Sequence, residues 1–400
     1  MAYGYRVTVI FTPSRKQMTA TQVIEDKKLS PIVKWAGGKE QELKYIIPNL
    51  PERFKAYYEP FVGGGSVFCA LTAAHYFIND KSQELIGLYR NVARADNRLF
   101  IAVLDEMVDN WGLISQMVPA NAVFFVDTYK AYSGSTITEQ ALKGSLYDFI
   151  RQHTDQFDGM FSSISNANTE NFIREIKLNL TRKLKRMKVL EGIKHKLPDG
   201  DILDNVETAL KSAFYMHIRH LYNHADKYAL GGELRSALFL FIRNFAYSGM
   251  FRYNASGGFN VPYGGIGYNR KNFGRKIAYL NSQPLKDRLS NTVIENLDFE
   301  DFFHKHQPGS NDFIFLDPPY DSEFSTYARN VFDQDDHQRL AGYLLNECRA
   351  KWMLIIKNTA FISSLYLNKG LNVKYFDKTY LVSFMNRNDK NAEHLLITNY

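Results

Sequence analysis

AYYEPFVGGGSVFCALTAAHYFIND, residues 56–80, is the stretch on which the fold reading turns. An apolar run ends at Glu59-Pro60, three glycines follow at Gly63, Gly64 and Gly65, a helical apolar pattern starts at Val67, and YFIND reads as a second short strand. Strand, glycine turn, helix and strand make a βαβ opening, which predicts a parallel sheet. Residues without β-carbons at such a turn let the backbone approach a ligand at a helix N-terminus. A dinucleotide fingerprint needs a glycine where Phe68 stands, and a phosphate loop needs Gly-Lys-Ser/Thr. Neither this turn nor Lys34-Trp35-Ala36-Gly37-Gly38-Lys39-Glu40 supplies them, so hydride and phosphoryl transfer both lose ground. Asp80 closes the second strand, where a carboxylate can accept both hydroxyls of a ribose or cap the helix that begins near Lys81; spacing alone leaves both roles open.

Working outward, helical patterns follow at 82–93 and 97–111, and then the alternation of strand and helix stops. It resumes near Asn291 with TVIENLDF, DFIFLDPPY, a helix around 336–350, KWMLIIKN, a helix at 360–367 and three strand-like runs ending in EHLLITNY. This predicts one α/β domain, 31–93 with 286–400, interrupted by an insertion at 94–285. An extension at 1–30 shows only a strand-like run at 6–12. The chain's 400 residues suffice for such a core and exclude a small disulfide-stapled scaffold. Cys69 and Cys348 lack Cys-x-x-Cys spacing, and no apolar run reaches the roughly 18 residues of a membrane span. A soluble cytoplasmic protein is expected.

A formal charge of +7 is a mild pointer to a polyanion, and its distribution is more informative. In residues 172–196, FIREIKLNLTRKLKRMKVLEGIKHK, Ile173, Ile176, Leu180, Leu184 and Met187 form one helical stripe while Lys and Arg cover the rest. Such a face is either merely solvated or a phosphate contact surface, for which Lys183, Lys185, Arg186 and Lys188 are the candidates. His217, His220 and His224 share a helical face, but no Cys or acidic ligand accompanies them at zinc-site spacing; an ordinary helix face is the better reading, with no metal.

The sharpest signal is Phe313-Ile314-Phe315-Leu316 followed by Asp317-Pro318-Pro319-Tyr320. Two prolines cannot continue a ladder, so a rigid turn must project from the carboxyl edge of the sheet, where α/β proteins place ligands. A carboxylate and a proline-flanked carbonyl can accept the two N–H bonds of an exocyclic amine, and the Tyr ring can stack on its base.

Taken together, the chain resembles the Dam-type family of DNA adenine-N6 methyltransferases. KWAGGK (34–39) is similar to that family's N-terminal cofactor motif, EPFVGGGSVF (59–68) to its glycine loop, IND (78–80) to its ribose-binding strand end, FLDPPY (315–320) to its catalytic motif, and NRN with EHLLITNY to its closing strand. FRYN (251–254) with GFNVPYG (258–264) resembles its DNA-contacting hairpin, and the motif order resembles the alpha arrangement. The resemblance implies a class I methyltransferase fold: a mostly parallel sheet of about seven strands, an antiparallel final hairpin and a helical DNA-recognition insertion. It implies S-adenosylmethionine as cofactor, held by Trp35, Lys39, Glu59, Phe61, Gly63, Gly65, Asp80 and Asp317, with Asp317, Pro318, Pro319 and Tyr320 catalytic. Arg252 and Asn254 are expected to read bases in duplex DNA, whose target adenine is flipped into the pocket. A monomer acting on DNA is expected, within a restriction–modification system whose nuclease is a partner in function alone. Compact members carry a much shorter recognition segment, so 112–230 has no residue-by-residue counterpart. The alternatives are an RNA adenine methyltransferase and a non-catalytic DNA-binding regulator; intact Asp317, Pro318 and Tyr320 argue against the latter.

Overall fold

The computed structural model describes residues 29–35, 37–160, 169–320, 332–379 and 391–400. Its centre is a seven-stranded sheet of order β3-β2-β1-β4-β5-β7-β6. The strands are β1 (Ala56–Glu59), β2 (His75–Asn79), β3 (Thr292–Glu295), β4 (Phe313–Leu316), β5 (Lys351–Lys357), β6 (Asn372–Thr379) and β7 (Asn391–Thr398). β1 to β5 run parallel, and β7 runs antiparallel to β5 and β6. The expected class I methyltransferase architecture is therefore present, closing hairpin included. Of the three expected C-terminal strand runs, β6 and β7 are seen; the stretch between them, like the run at 6–12, lies outside the described residues.

β1 and β4 are buried along their whole lengths, as parallel strands covered on both faces must be. Strand order reverses between β1 and β4, which pair Tyr57 with Phe313 and Tyr58 with Ile314. A crevice opens at the carboxyl ends of strands flanking such a reversal. Around the sheet lie α1 (Leu43–Ile46), α2 (Ser66–Ala70) and α3 (Gln83–Ala93). Beyond β3 come α13 (Phe299–His306), α14 (Gln334–Asn346) and α15 (Ala360–Tyr366).

Between α3 and β3 lie α4 (Arg98–Ala120), α5 (Ala122–Ser133), α6 (Glu139–Gln152), α7 (Thr154–Gly159), α8 (Thr169–Ile193), α9 (Asp199–Asn223), α10 (Gly232–Phe245) and α11 (Gly274–Leu280), all within the expected insertion, and α12 (Gln283–Ser290), which straddles its expected end. The insertion's core is continuous with one face of the sheet: Tyr57, Phe68 and Tyr89 belong to the same buried cluster as Phe100, Trp111, Leu180 and Phe241. Tyr58, Phe302, Leu340 and Trp352 form a second cluster on the other face.

Local signals set most element ends. Ser82 caps α3 by accepting the Leu85 N–H, and Asp333 and Asp336 form a capping box that starts α14 at Gln334, two residues before its expected start. Two further helices depart from expectation. α4 continues to Ala120 because its buried stripe, Phe100 through Trp111 to Val118, does not stop at Trp111. α2 ends at Ala70, where Leu71 turns to extended backbone and the chain leads into β2.

Candidate active site and the 251–264 hairpin

The site is built where β1, β2 and β4 end. β4 delivers Asp317, and the Lys39 ammonium group donates to its Oδ2 at 2.5 Å and to the Gly37 carbonyl at 2.8 Å. The lysine is 3% exposed and the aspartate 18%. Two residues separated by most of the chain thus form one desolvated ion pair at the mouth of the crevice. Pro318 is buried, Pro319 exposed, and the half-buried Tyr320 ring stands 5.7 Å from the Lys39 ammonium and 5.5 Å from the buried His394 ring of β7.

Glu59 lies beneath this pair, fully enclosed. It accepts the Tyr57 hydroxyl at 2.8 Å, and burial, reinforced by the charge of Asp317, holds its carboxyl well above the usual carboxylate range. The glycine loop rests on top. Gly65 has φ +83° and a β-carbon there would collide with the Tyr89 hydroxyl; one on Gly63, with φ +51°, would meet the Trp35 ring at 2.8 Å. The glycines therefore also make room for the protein's own Tyr89 and Trp35. Ile32 N–H donates to the Gly64 carbonyl at 3.0 Å, fastening the stretch just before KWAGGK to the loop.

Asp80, half-buried at the end of β2, accepts the Gly63 N–H on Oδ2 at 3.0 Å and the Ser82 N–H on Oδ1 at 2.9 Å. Ser82, not Asp80, caps α3. Each carboxylate oxygen retains a second lone pair, so the loop-bracing and hydroxyl-accepting roles are compatible. Burial raises the Asp80 carboxyl to about 6, against the two backbone donors that favour its ionised form. The half-buried Phe61 ring lies beside Phe299 and Phe332, 5.9 and 5.5 Å away, an apolar wall near the same loop. A carboxylate with spare acceptor capacity, an aromatic wall, and a Lys-paired Asp beside a Pro-Pro-Tyr turn fit a nucleoside-containing cofactor next to a planar amine.

The predicted hairpin is real. Tyr253 bridges Phe259 antiparallel, Asn260 N–H donates to the Arg252 carbonyl, and Ala246 bridges Tyr263. Arg252 is exposed and its Nε donates to Asn260 Oδ1 at 3.0 Å. Asn254 Oδ1 accepts from the Gly258 N–H at 2.8 Å and the Ser256 hydroxyl at 2.9 Å, building the turn. Bidentate reading of adenine needs both ends of the carboxamide, and here one end is engaged.

The basic residues of α8 divide. Lys185 pairs with Glu139 of α6 at 2.9 Å, Lys188 donates to the Tyr132 carbonyl of α5 at 2.6 Å, and burial lowers the Lys183 ammonium; Arg186 stands exposed. Much of this charge therefore holds the insertion's helices together. His217 is buried against Asn171, burial pushing its imidazole down to about 3; His220 contacts the Tyr228 hydroxyl and His224 the His220 carbonyl. Sequence reasoning missed Arg243, the buried partner of Trp35, for which the one signal was a lone arginine inside the apolar run ALFLFIRNF.

Fold and site together define a class I methyltransferase. The chain belongs to the D12 class N6 adenine-specific DNA methyltransferase family, which matches residues 35–207 and 178–383, and it is an adenine-specific DNA methyltransferase. It is 25% identical over 377 residues to the Type II methyltransferase M.CviBI of Paramecium bursaria Chlorella virus NC1A, covering 93% of this chain and 100% of that one. It is 25% identical over 391 residues to the Type II methyltransferase M.MjaIII of Methanocaldococcus jannaschii, again 93% and 100%. With the DNA adenine methylase of Vibrio cholerae serotype O1 it shares 23% identity over 364 residues, 88% and 90% of the two chains. Methyltransferases of this family use S-adenosylmethionine, and the family's substrate is DNA. Among the described residues, no helix is long and apolar enough to cross a membrane.

Proposed function

We propose that this enzyme methylates N6 of one adenine within a specific duplex sequence, taking the base out of the helix to do so, as the modification arm of a restriction–modification pair. The observation that carries the reading is the Lys39–Asp317 pair at the head of Pro318-Pro319-Tyr320, set beside the glycine loop. S-adenosylmethionine, when bound, would supply a methyl group on a positively charged sulfonium; the sulfur would depart as a neutral thioether without acid assistance, and the surplus proton on N6 would pass to solvent or to the Asp317 carboxylate.

The chain's own residues do the rest. The Asp317 carboxylate and the Pro318 carbonyl accept the two N–H bonds of the adenine amine, localising its lone pair; Lys39 fixes the carboxylate in place from behind. Tyr320 stacks on the base and is itself wedged between Lys39 and His394. Asp80 accepts ribose hydroxyls while bracing the glycine loop, and Phe61 shields the purine edge of the cofactor. Glu59 supports the loop from within the core. Arg252 reads a guanine edge, Asn254 shapes the turn that presents it, and Arg186 contacts phosphate.

The Type II names of two relatives support the restriction–modification context. The test is Asp317→Ala. Loss of one preorganised acceptor predicts a fall in turnover of about a hundredfold or more on adenine duplexes. Wild-type turnover would remove Asp317 from the mechanism, and equal activity on RNA would favour an RNA methyltransferase.

A further inference from the structure

Arg243, in the last turn of α10, is 3% exposed. Its guanidinium lies between two rings, 4.9 Å from the centre of Trp35 and 4.2 Å from that of Phe251. Nη2 donates to the Lys34 carbonyl, while Nε and Nη1 are buried without a hydrogen-bond partner among the described residues. Trp35 and Phe251 also touch each other, with centres 5.8 Å apart, and Phe239 flanks both. A buried guanidinium whose donors are only partly paired is held chiefly by the two ring faces, so it keeps its place only while both rings keep theirs. One end of the sandwich belongs to the cofactor side, because Trp35 abuts Gly63 of the glycine loop. The other belongs to the DNA side, because Phe251 is followed directly by Arg252. Packed rings shift between discrete arrangements rather than deforming smoothly, so a displacement of Trp35 is passed to Phe251.

We propose that the Trp35–Arg243–Phe251 sandwich couples cofactor binding to base reading, with Arg243 as a positioning residue that locks the hairpin to the KWAGGK segment. The proposal rests on the reading above, in which Trp35 lines the cofactor site and Arg252 reads a base. Coupling of this kind is reciprocal: the cofactor tightens DNA binding by the same factor by which DNA tightens cofactor binding. A lysine at position 243 keeps the charge but cannot stack as a plane between two rings, so Arg243→Lys breaks the sandwich conservatively. Phe251→Leu breaks it from the other side.

The experiment titrates a duplex carrying the enzyme's own site, found by sequencing methylated positions in DNA treated with the protein. Affinity is measured with and without saturating S-adenosylhomocysteine, an unreactive probe, and the ratio is the coupling factor. For the wild type a factor of about 5 to 150 is expected, as for typical coupled sites. In both variants it should fall below about 3 while the binary affinity for S-adenosylhomocysteine changes only a few-fold. A wild-type factor near 1 with both ligands bound overturns the proposal. So does a factor retained in either variant that folds, including the case where both affinities weaken in proportion, the mark of a purely structural arginine. If the wild type bound neither ligand, the underlying assignment of the site would fail instead.

Discussion

Asp80 makes two observables respond to acid in opposite directions. Its carboxyl is raised from an ordinary 3.8 to about 6, mainly by burial. The ionised form is therefore disfavoured in the folded protein relative to the unfolded chain. Sign and window follow from the two values. The protonated form's advantage is fully present below about 4 and is lost as the pH rises through about 6, so this residue's contribution to stability grows on acidification. A two-unit shift amounts to about 3 kcal/mol at 1.36 kcal/mol per unit, reduced to about 2 because solvent reaches the half-buried carboxylate. Under the proposed role, in which ribose hydroxyls donate to the ionised carboxylate, cofactor affinity should move the other way. At pH 5 only about one Asp80 in eleven is ionised, which predicts roughly tenfold weaker binding than at pH 7. Asp80→Asn retains one of the two acceptors facing Gly63 N–H and Ser82 N–H, so it leaves one donor unpaired at a cost of about 1–3 kcal/mol. At neutral pH that loss is offset by the removed ionisation penalty, and melting should stay close to wild type. Calorimetric titrations of S-adenosylhomocysteine from pH 5 to 8, paired with melting curves on wild type and Asp80→Asn, make the comparison. An affinity flat between pH 5 and 7 in the wild type, or the same pH dependence in Asp80→Asn, would refute the ribose role and leave only loop bracing.

Lys39→Met removes the cation from a pair 3% and 18% exposed, and a stability loss of about 3–5 kcal/mol is expected in denaturant titrations, the usual result of leaving one member of a buried pair alone. Turnover should fall about a hundredfold, with partial recovery in Lys39→Arg; unchanged turnover in a folded Lys39→Met would exclude it as the support of Asp317. Arg252→Ala should relax discrimination at one base position by about 1–3 kcal/mol in methylation of singly substituted sites, leaving the salt dependence of binding almost unaltered. Arg186→Ala should weaken binding to all sequences and reduce the log–log salt slope by about one, whereas Lys185→Ala and Lys188→Ala should chiefly lower the melting temperature, because their ammonium groups are held by Glu139 and Tyr132; the reverse pattern would move DNA reading to α8.

Local chemistry makes much of this protein legible in its sequence. The strand ends at Glu59 and Leu316, the glycine turn, the Pro-Pro stop after Asp317 and the Gly-rich hairpin are set by residues within a few positions of one another, and backbone sterics act over that range. The buried stripe of α8 was likewise visible in its periodicity. What the side chains bind is a separate matter, decided across long separations. Lys39 reaches Asp317 only because β1 and β4 are neighbours, and β3 joins the edge beside β2 although the whole insertion lies between them in the chain. No local pattern tells an exposed lysine from one already paired, so Lys185 and Lys188 read like Arg186 until α5 and α6 are folded against α8. The amide of Asn254 looks free for a base until the turn closes on it, and Arg243 looks like an interruption of an apolar helix until Trp35 and Phe251 close over it. Hydrophobic period and turn chemistry act along the chain and can be read there. Ion pairing, desolvation and ring stacking depend on which surfaces meet, and that is determined only when the sheet and the insertion pack together.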